Sequence, residues 1–145
     1  MYPVYEQYWL AALTDPGGIL PLSGRVASKN EIAYARLADN RQHIVLSSTL
    51  DKVAWKTTRI VRDVEDIRKM KQQPCKDMYA VGGATLISSL MNLGLIDELR
   101  ILVNPLILGG GKALFKDVKE RHTLELTGAK PLKSGKVSLT YSVQH

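Results

Sequence analysis

Cysteine occurs once, at Cys75. No internal disulfide can form, and no cysteine-based zinc site can be assembled. Phenylalanine also occurs once. With no interleaving of basic and aromatic residues, single-strand nucleic-acid binding by stacking has little support, and no specific nucleic-acid partner is expected. No apolar run approaches the ~18 residues of a membrane span, so no membrane partner is expected. Met1-Tyr2-Pro3-Val4-Tyr5-Glu6 has neither a basic nor an apolar leader segment. It does not read as a secretion signal, and a cytoplasmic location is expected. Repeats, low-complexity tracts and long linkers are missing. His43, His122 and His145 are far apart and lack ligand-spaced partners, so no metal site is expected. Neither G-x-S-x-G nor H-E-x-x-H occurs.

What is present is the composition of an ordinary globular domain. The 145 residues are 45% hydrophobic and 23% charged. This length suits one domain, 1–145, and such a chain can bury a core without metal or disulfide. Net charge is +6. The basic excess is spread along the chain: Lys52–Lys76 holds eight basic and three acidic residues, and Lys112–Lys136 holds seven and three. A solvated basic surface explains this, and an anionic small molecule would suit it too.

Local signals place the elements. Pro3 opens a helix through Leu13, in whose first turn its missing N–H costs nothing. Asp15-Pro16-Gly17-Gly18 stops it. Ser28 and Glu31 have capping-box spacing for a helix reaching Asp39. His43–Ser47 and Thr57–Val61 read as strands, and Asp63 can cap a helix to about Gln72. Met78-Tyr79-Ala80-Val81 reads as a buried strand. Gly82-Gly83 leads into a helix from Ala84 to Leu93, closed by Gly94 as a C′ glycine. Leu99–Val103 is a strand ended by Asn104-Pro105. His122–Lys130 and Lys136–Val143 read as a closing strand pair, antiparallel because no helix separates them. The expected class is α/β, with a mixed, mostly parallel central sheet and an antiparallel C-terminal pair. Ligands in such sheets sit at the carboxyl ends of the strands.

Three segments could carry chemistry. Val81-Gly82-Gly83-Ala84-Thr85-Leu86 turns a strand into a helix. Glycines there admit close backbone approach, and the helix start offers free N–H groups and a positive dipole end, a geometry suited to phosphate. The same glycines also suit a plain tight turn. Leu46-Ser47-Ser48-Thr49 puts hydroxyls at a strand's carboxyl end, where they can bond a ribose phosphate or satisfy their own loop. Leu108-Gly109-Gly110-Gly111-Lys112 reads as a conformationally demanding loop, because Leu106 and Ala113 stand where a Walker motif needs glycine and a hydroxyl. Trp9, Trp55, Tyr5 and Tyr8 read as packing.

Taken in order, these pieces resemble the dihydrofolate-reductase fold. They are closer still to the bacterial group that includes the reductase domain of riboflavin-biosynthesis deaminase–reductases. The carrying segments are His43–Ser48, Tyr79–Leu86 and, most specifically, Leu95–Phe115 with its Asn104-Pro105-Leu106-Ile107-Leu108-Gly109-Gly110-Gly111 run. The resemblance implies a three-layer dihydrofolate-reductase-like fold and NADPH as cofactor. It implies Ser47 and Ser48 at the adenosine 2′-phosphate, with Thr49 nearby, and Gly82, Gly83, Ala84, Thr85 and Leu86 at the pyrophosphate. Hydride would pass to a pterin or related small heterocycle, and the protein would form a homodimer. The family begins with a core strand, a pocket-lining helix and a strand ending in Gly-Arg, none of which precedes Met1. The domain is therefore expected to be N-terminally incomplete and a poor reductase by itself. No catalytic acid can be named, and Thr85 stands where relatives can carry arginine. A non-catalytic nucleotide-binding or oligomerising module retaining the adenosine half is the alternative.

Overall fold

The computed structural model describes residues 2–74 and 77–144. Cys75 and His145, both weighed above, lie outside the described residues. The chain divides into two compact units, Met1–Cys75 and Lys76–His145. No helix among the described residues is long and apolar enough to cross a membrane.

In the first unit α1 spans Tyr2–Thr14 and α2 spans Lys29–Asp39. The two helices pack over Ala12, Leu20 and Ala35, all fully or almost fully buried, with Tyr8, Trp9 and Leu13 against them. The short alanine side chains let the helix axes approach closely. The expected capping box is present: Ser28 Oγ accepts the Glu31 N–H, and the Glu31 carboxylate accepts the Ser28 N–H at 2.9 Å. That carboxylate also takes a two-pronged bond from the Arg25 guanidinium, at 2.8 and 2.9 Å, and one from the Tyr8 hydroxyl at 2.7 Å. One side chain thus ties α2 to the preceding loop and to α1.

Arg25 first, and then the Ser28 side chain, Ser28 backbone and Tyr8 donors, hold the Glu31 carboxyl well below the usual carboxylate range. A carboxyl depressed in the folded state stabilises the fold above its unfolded pKa, near 4.3, and loses that contribution as pH falls toward the folded value. Glu31→Gln should therefore lower the melting temperature at pH 7 and lower it by less at pH 3. A gap of equal size at both pH values, in thermal melts of the two proteins, would contradict this.

β1 (His43–Leu46) and β2 (Thr58–Val61) are a parallel pair with His43 opposite Thr58 and Leu46 opposite Val61. Their carboxyl ends are therefore level. α3 spans Val64–Gln72, and Asp63 Oδ1 caps it by accepting the Glu65 N–H at 3.0 Å. Tyr2, Tyr5, Trp9, Tyr34, His43 and Trp55 form a continuous aromatic cluster. Burial and the Tyr34 hydroxyl push the Tyr5 phenol well above its ordinary range. It stays neutral, in keeping with packing rather than chemistry.

In the second unit α4 spans Ala84–Asn92. It ends as expected at Gly94, whose φ is +63°. The Gly94 N–H reaches Met91 O at 3.0 Å and the Leu95 N–H reaches Leu90 O at 2.9 Å, the paired bonds of a Schellman cap. β3 (Glu98–Val103), β4 (Leu124–Pro131) and β5 (Val137–Val143) form a sheet in the order β3-β5-β4, with both pairings antiparallel. Met91, Leu99 and Val143 are its buried core, with Ile87, Ile96, Leu124 and Tyr141 packed against them.

One expected element is not a strand. Met78–Val81 has no regular secondary structure and joins neither sheet among the described residues. Met78, Tyr79 and Val81 are 42%, 70% and 63% exposed. A strand is stabilised by paired neighbours and covered faces; this segment has no ladder partner there, so its apolar pattern alone does not make it one. Parallel pairing is accordingly confined to β1 and β2, while the closing pair is antiparallel as expected.

Candidate functional site

Both sequence-derived ligand segments lie at element ends, and they fall in different units. In the first unit the level carboxyl ends of β1 and β2 bring Ser47 beside Arg62. The Ser47 N–H extends the ladder to Val61 O at 3.1 Å. Ser47 Oγ accepts the Leu50 N–H at 3.1 Å and the Thr49 N–H at 3.4 Å. The hydroxyl thus does satisfy its own loop, and its O–H remains able to donate outward. Ser48 and Thr49 are exposed, and their hydroxyls have no hydrogen-bond partner among the described residues. Thr49 and Ser48 therefore stay with Ser47 on one short turn.

Arg62 is the addition that the structure makes. Its Nη1 donates to Ser47 O at 2.7 Å and its Nη2 to Asp51 Oδ1 at 3.2 Å. These two bonds hold the guanidinium over the serine turn while leaving it half exposed. A guanidinium so fixed on the turn that carries Ser47, Ser48 and Thr49 can bind a phosphate through charge-assisted bonds. The signal available in the sequence was its place as the first residue after β2, the same place Ser47 has after β1.

In the second unit the glycine turn leads directly into α4. Gly83 is the N-cap and, having no side chain, leaves the first-turn N–H groups of Ala84, Thr85 and Leu86 without a side-chain cap. Gly83 has φ −85° and ψ −179°, extended backbone open to any residue. The steric demand for glycine is at Gly82 instead. A Cβ there would lie 2.5 Å from Leu86 Cδ2 and 3.2 Å from Leu86 Cβ. Gly82, Gly83, Ala84, Thr85 and Leu86 thus form one uncapped helix start with bare backbone before it.

In the Gly109-Gly110-Gly111 segment the reading as a conformationally demanding loop holds at Gly109 but not at Gly110 or Gly111. Gly109 has φ +66°, and a Cβ on any of the three would meet open space. Lys112 beside it is exposed.

Residues 21–138 match the family model described as the RibD C-terminal domain. The chain is 36% identical over 107 residues to the uncharacterized protein YyaP of Bacillus subtilis (strain 168), covering 73% of this chain and 57% of YyaP. It is 36% identical over 62 residues to the uncharacterized protein YwjB of the same strain, covering 43% of this chain and 36% of YwjB. It therefore spans only about half of YyaP and a third of YwjB. Among solved structures, a Shewanella sp. PV-4 protein provisionally assigned to riboflavin biosynthesis matches with a TM-score of 0.61 at 21% identity, covering 94% of this chain and 87% of that one. A pyrimidine reductase-like protein of Corynebacterium diphtheriae matches with a TM-score of 0.51 at 15% identity, covering 83% and 48%.

Proposed function

Because this chain belongs to the RibD C-terminal domain family and has its dihydrofolate-reductase-like α/β fold, we propose that it is a reductase. It binds NADPH and acts on a small heterocycle of the pyrimidine or pterin kind. The observation that carries the cofactor half is the serine turn with Arg62 fixed over it, which fits the 2′-phosphate that separates NADPH from NADH. The uncapped start of α4, with no side chain at Gly82, fits a pyrophosphate. The cofactor, when bound, supplies the hydride. On the first unit Ser47, Ser48 and Thr49 would donate to the 2′-phosphate and Arg62 would neutralise it; on the second unit the Ala84–Leu86 amides are, taken by themselves, a candidate for a pyrophosphate. Orientation is the protein's main contribution in such chemistry, because the cofactor carries the reaction itself.

The test is the ratio of two affinities. Charge-assisted bonds to a phosphate are worth ~1.5–3 kcal/mol each. Ser47→Ala/Ser48→Ala and, separately, Arg62→Gln should each weaken NADPH by about tenfold or more and leave NADH within about twofold, since 1.4 kcal/mol is a factor of ten. Calorimetric titration with both dinucleotides reads this directly. Equal losses for NADPH and NADH would remove the 2′-phosphate from this turn.

A further inference from the structure

The amino-terminal ends of β1 and β2 frame a second feature in the first unit. An open cleft of about 530 Å³ is lined there by Arg41, Lys56 and Arg59, with Asp39, Gln42 and Thr57 among their neighbours. Cations outnumber acids on this lining three to one. The single acid, Asp39, accepts the Trp55 indole N–H through Oδ1 at 2.7 Å and leaves the lining net positive. Arg41, Lys56 and Arg59 form no ion pair with a carboxylate among the described residues. Arg25, Arg62, Arg68 and Arg100 each do.

Three cations without carboxylate partners line one open cleft, a surface that favours an anion. Two guanidinium forks and an ammonium match the several acceptor oxygens of a phosphate dianion. The cleft is open rather than enclosing, and its extent exceeds what a bare phosphate fills. We propose that this cleft binds the phosphate of a small phosphomonoester, Arg41, Lys56 and Arg59 holding the dianion. The site is separate from the proposed dinucleotide turn. The two lie at opposite ends of four-residue strands, roughly 13 Å apart at ~3.3 Å per residue, so either assignment can fail without the other.

The experiment titrates the protein with glycerol 3-phosphate, inorganic phosphate and, as an ionic-strength control, chloride, following backbone amide shifts by NMR. Saturable shifts centred on residues 39–42 and 56–59, absent with chloride, are expected. Glycerol 3-phosphate binding more tightly than phosphate supports the phosphomonoester, and equal affinities overturn it in favour of free phosphate. Arg41→Gln, Lys56→Gln and Arg59→Gln should each weaken binding by about tenfold, the worth of one charge-assisted bond. The triple variant should abolish it while NADPH affinity is unchanged. These side chains are exposed, so the fold should tolerate their loss, which a melting curve checks. Non-saturating shifts, or the same shifts with chloride or in the triple variant, would mean a solvated basic face and overturn the proposal.

Discussion

Glu6→Ala should destabilise the first unit by about 3–5 kcal/mol, a large share of the ~5–15 kcal/mol that holds a typical domain together. Glu6 is an acidic residue on α1, yet only 7% of it is exposed. Its Oε1 accepts the Ala54 N–H at 2.9 Å and the Trp55 N–H at 2.7 Å. These amides belong to the loop entering β2. Trp55 is 2% exposed, so water cannot readily replace the carboxylate at its amide. Losing the acceptor leaves the buried Trp55 donor unsatisfied and the Ala54 donor to water, and frees the loop that seats the Trp55 indole on Asp39. Glu6→Gln keeps an acceptor oxygen and should cost about 1–2 kcal/mol, because only the charge assistance is lost. Both tryptophans, Trp9 and Trp55, lie in the first unit, so denaturant unfolding followed by tryptophan fluorescence reports this unit alone. A loss below about 1 kcal/mol for the alanine variant would show that the loop finds other partners.

Glu6 also marks what the sequence could and could not reveal. Features with local causes were legible. The Ser28–Glu31 box, the Asp63 cap and the Gly94 terminus each arise within a few residues, and all three are in the structure. The two closing strands were legible because their apolar pattern and the intervening Gly135 turn lie together in sequence. Features set by distant pairing were not. Nothing around Glu6 says that it is buried; its partners stand 48 and 49 residues away. Met78–Val81 reads the same whether or not a neighbouring strand pairs with it, and among the described residues none does. The candidate site divides along the same line. Ser47 and Gly82 could be named from strand ends and glycines. Arg62 was marked only by its place as the first residue after β2, because its position over Ser47 depends on the β1–β2 register. The cleft of Arg41, Lys56 and Arg59 depends on that register too, at the other end of the pair.

Gly82→Val should weaken NADPH by at least about a hundredfold, a loss of roughly 2.7 kcal/mol. Two causes compete for this effect, and a second substitution separates them. The new side chain must first contend with Leu86. Carbon atoms in contact sit ~3.5–4.0 Å apart, so a Cβ 2.5 Å from Leu86 Cδ2 and 3.2 Å from Leu86 Cβ is overpacked. Cδ2 can swing away, but Leu86 Cβ is fixed by the helix backbone. Overpacking of this kind costs ~1–3 kcal/mol and would disturb the first turn of α4. The side chain also stands where a pyrophosphate must approach the Ala84–Leu86 amides. Adding Leu86→Ala removes Cδ2 and most of the clash but keeps the residue-86 amide. The double variant should therefore recover most of the lost melting temperature and still bind NADPH poorly, while Leu86→Ala alone binds it nearly as well as the parent. Affinity that returns together with stability would mean that Gly82 serves only the packing of the turn. Unchanged affinity in Gly82→Val itself would remove the start of α4 from the cofactor site.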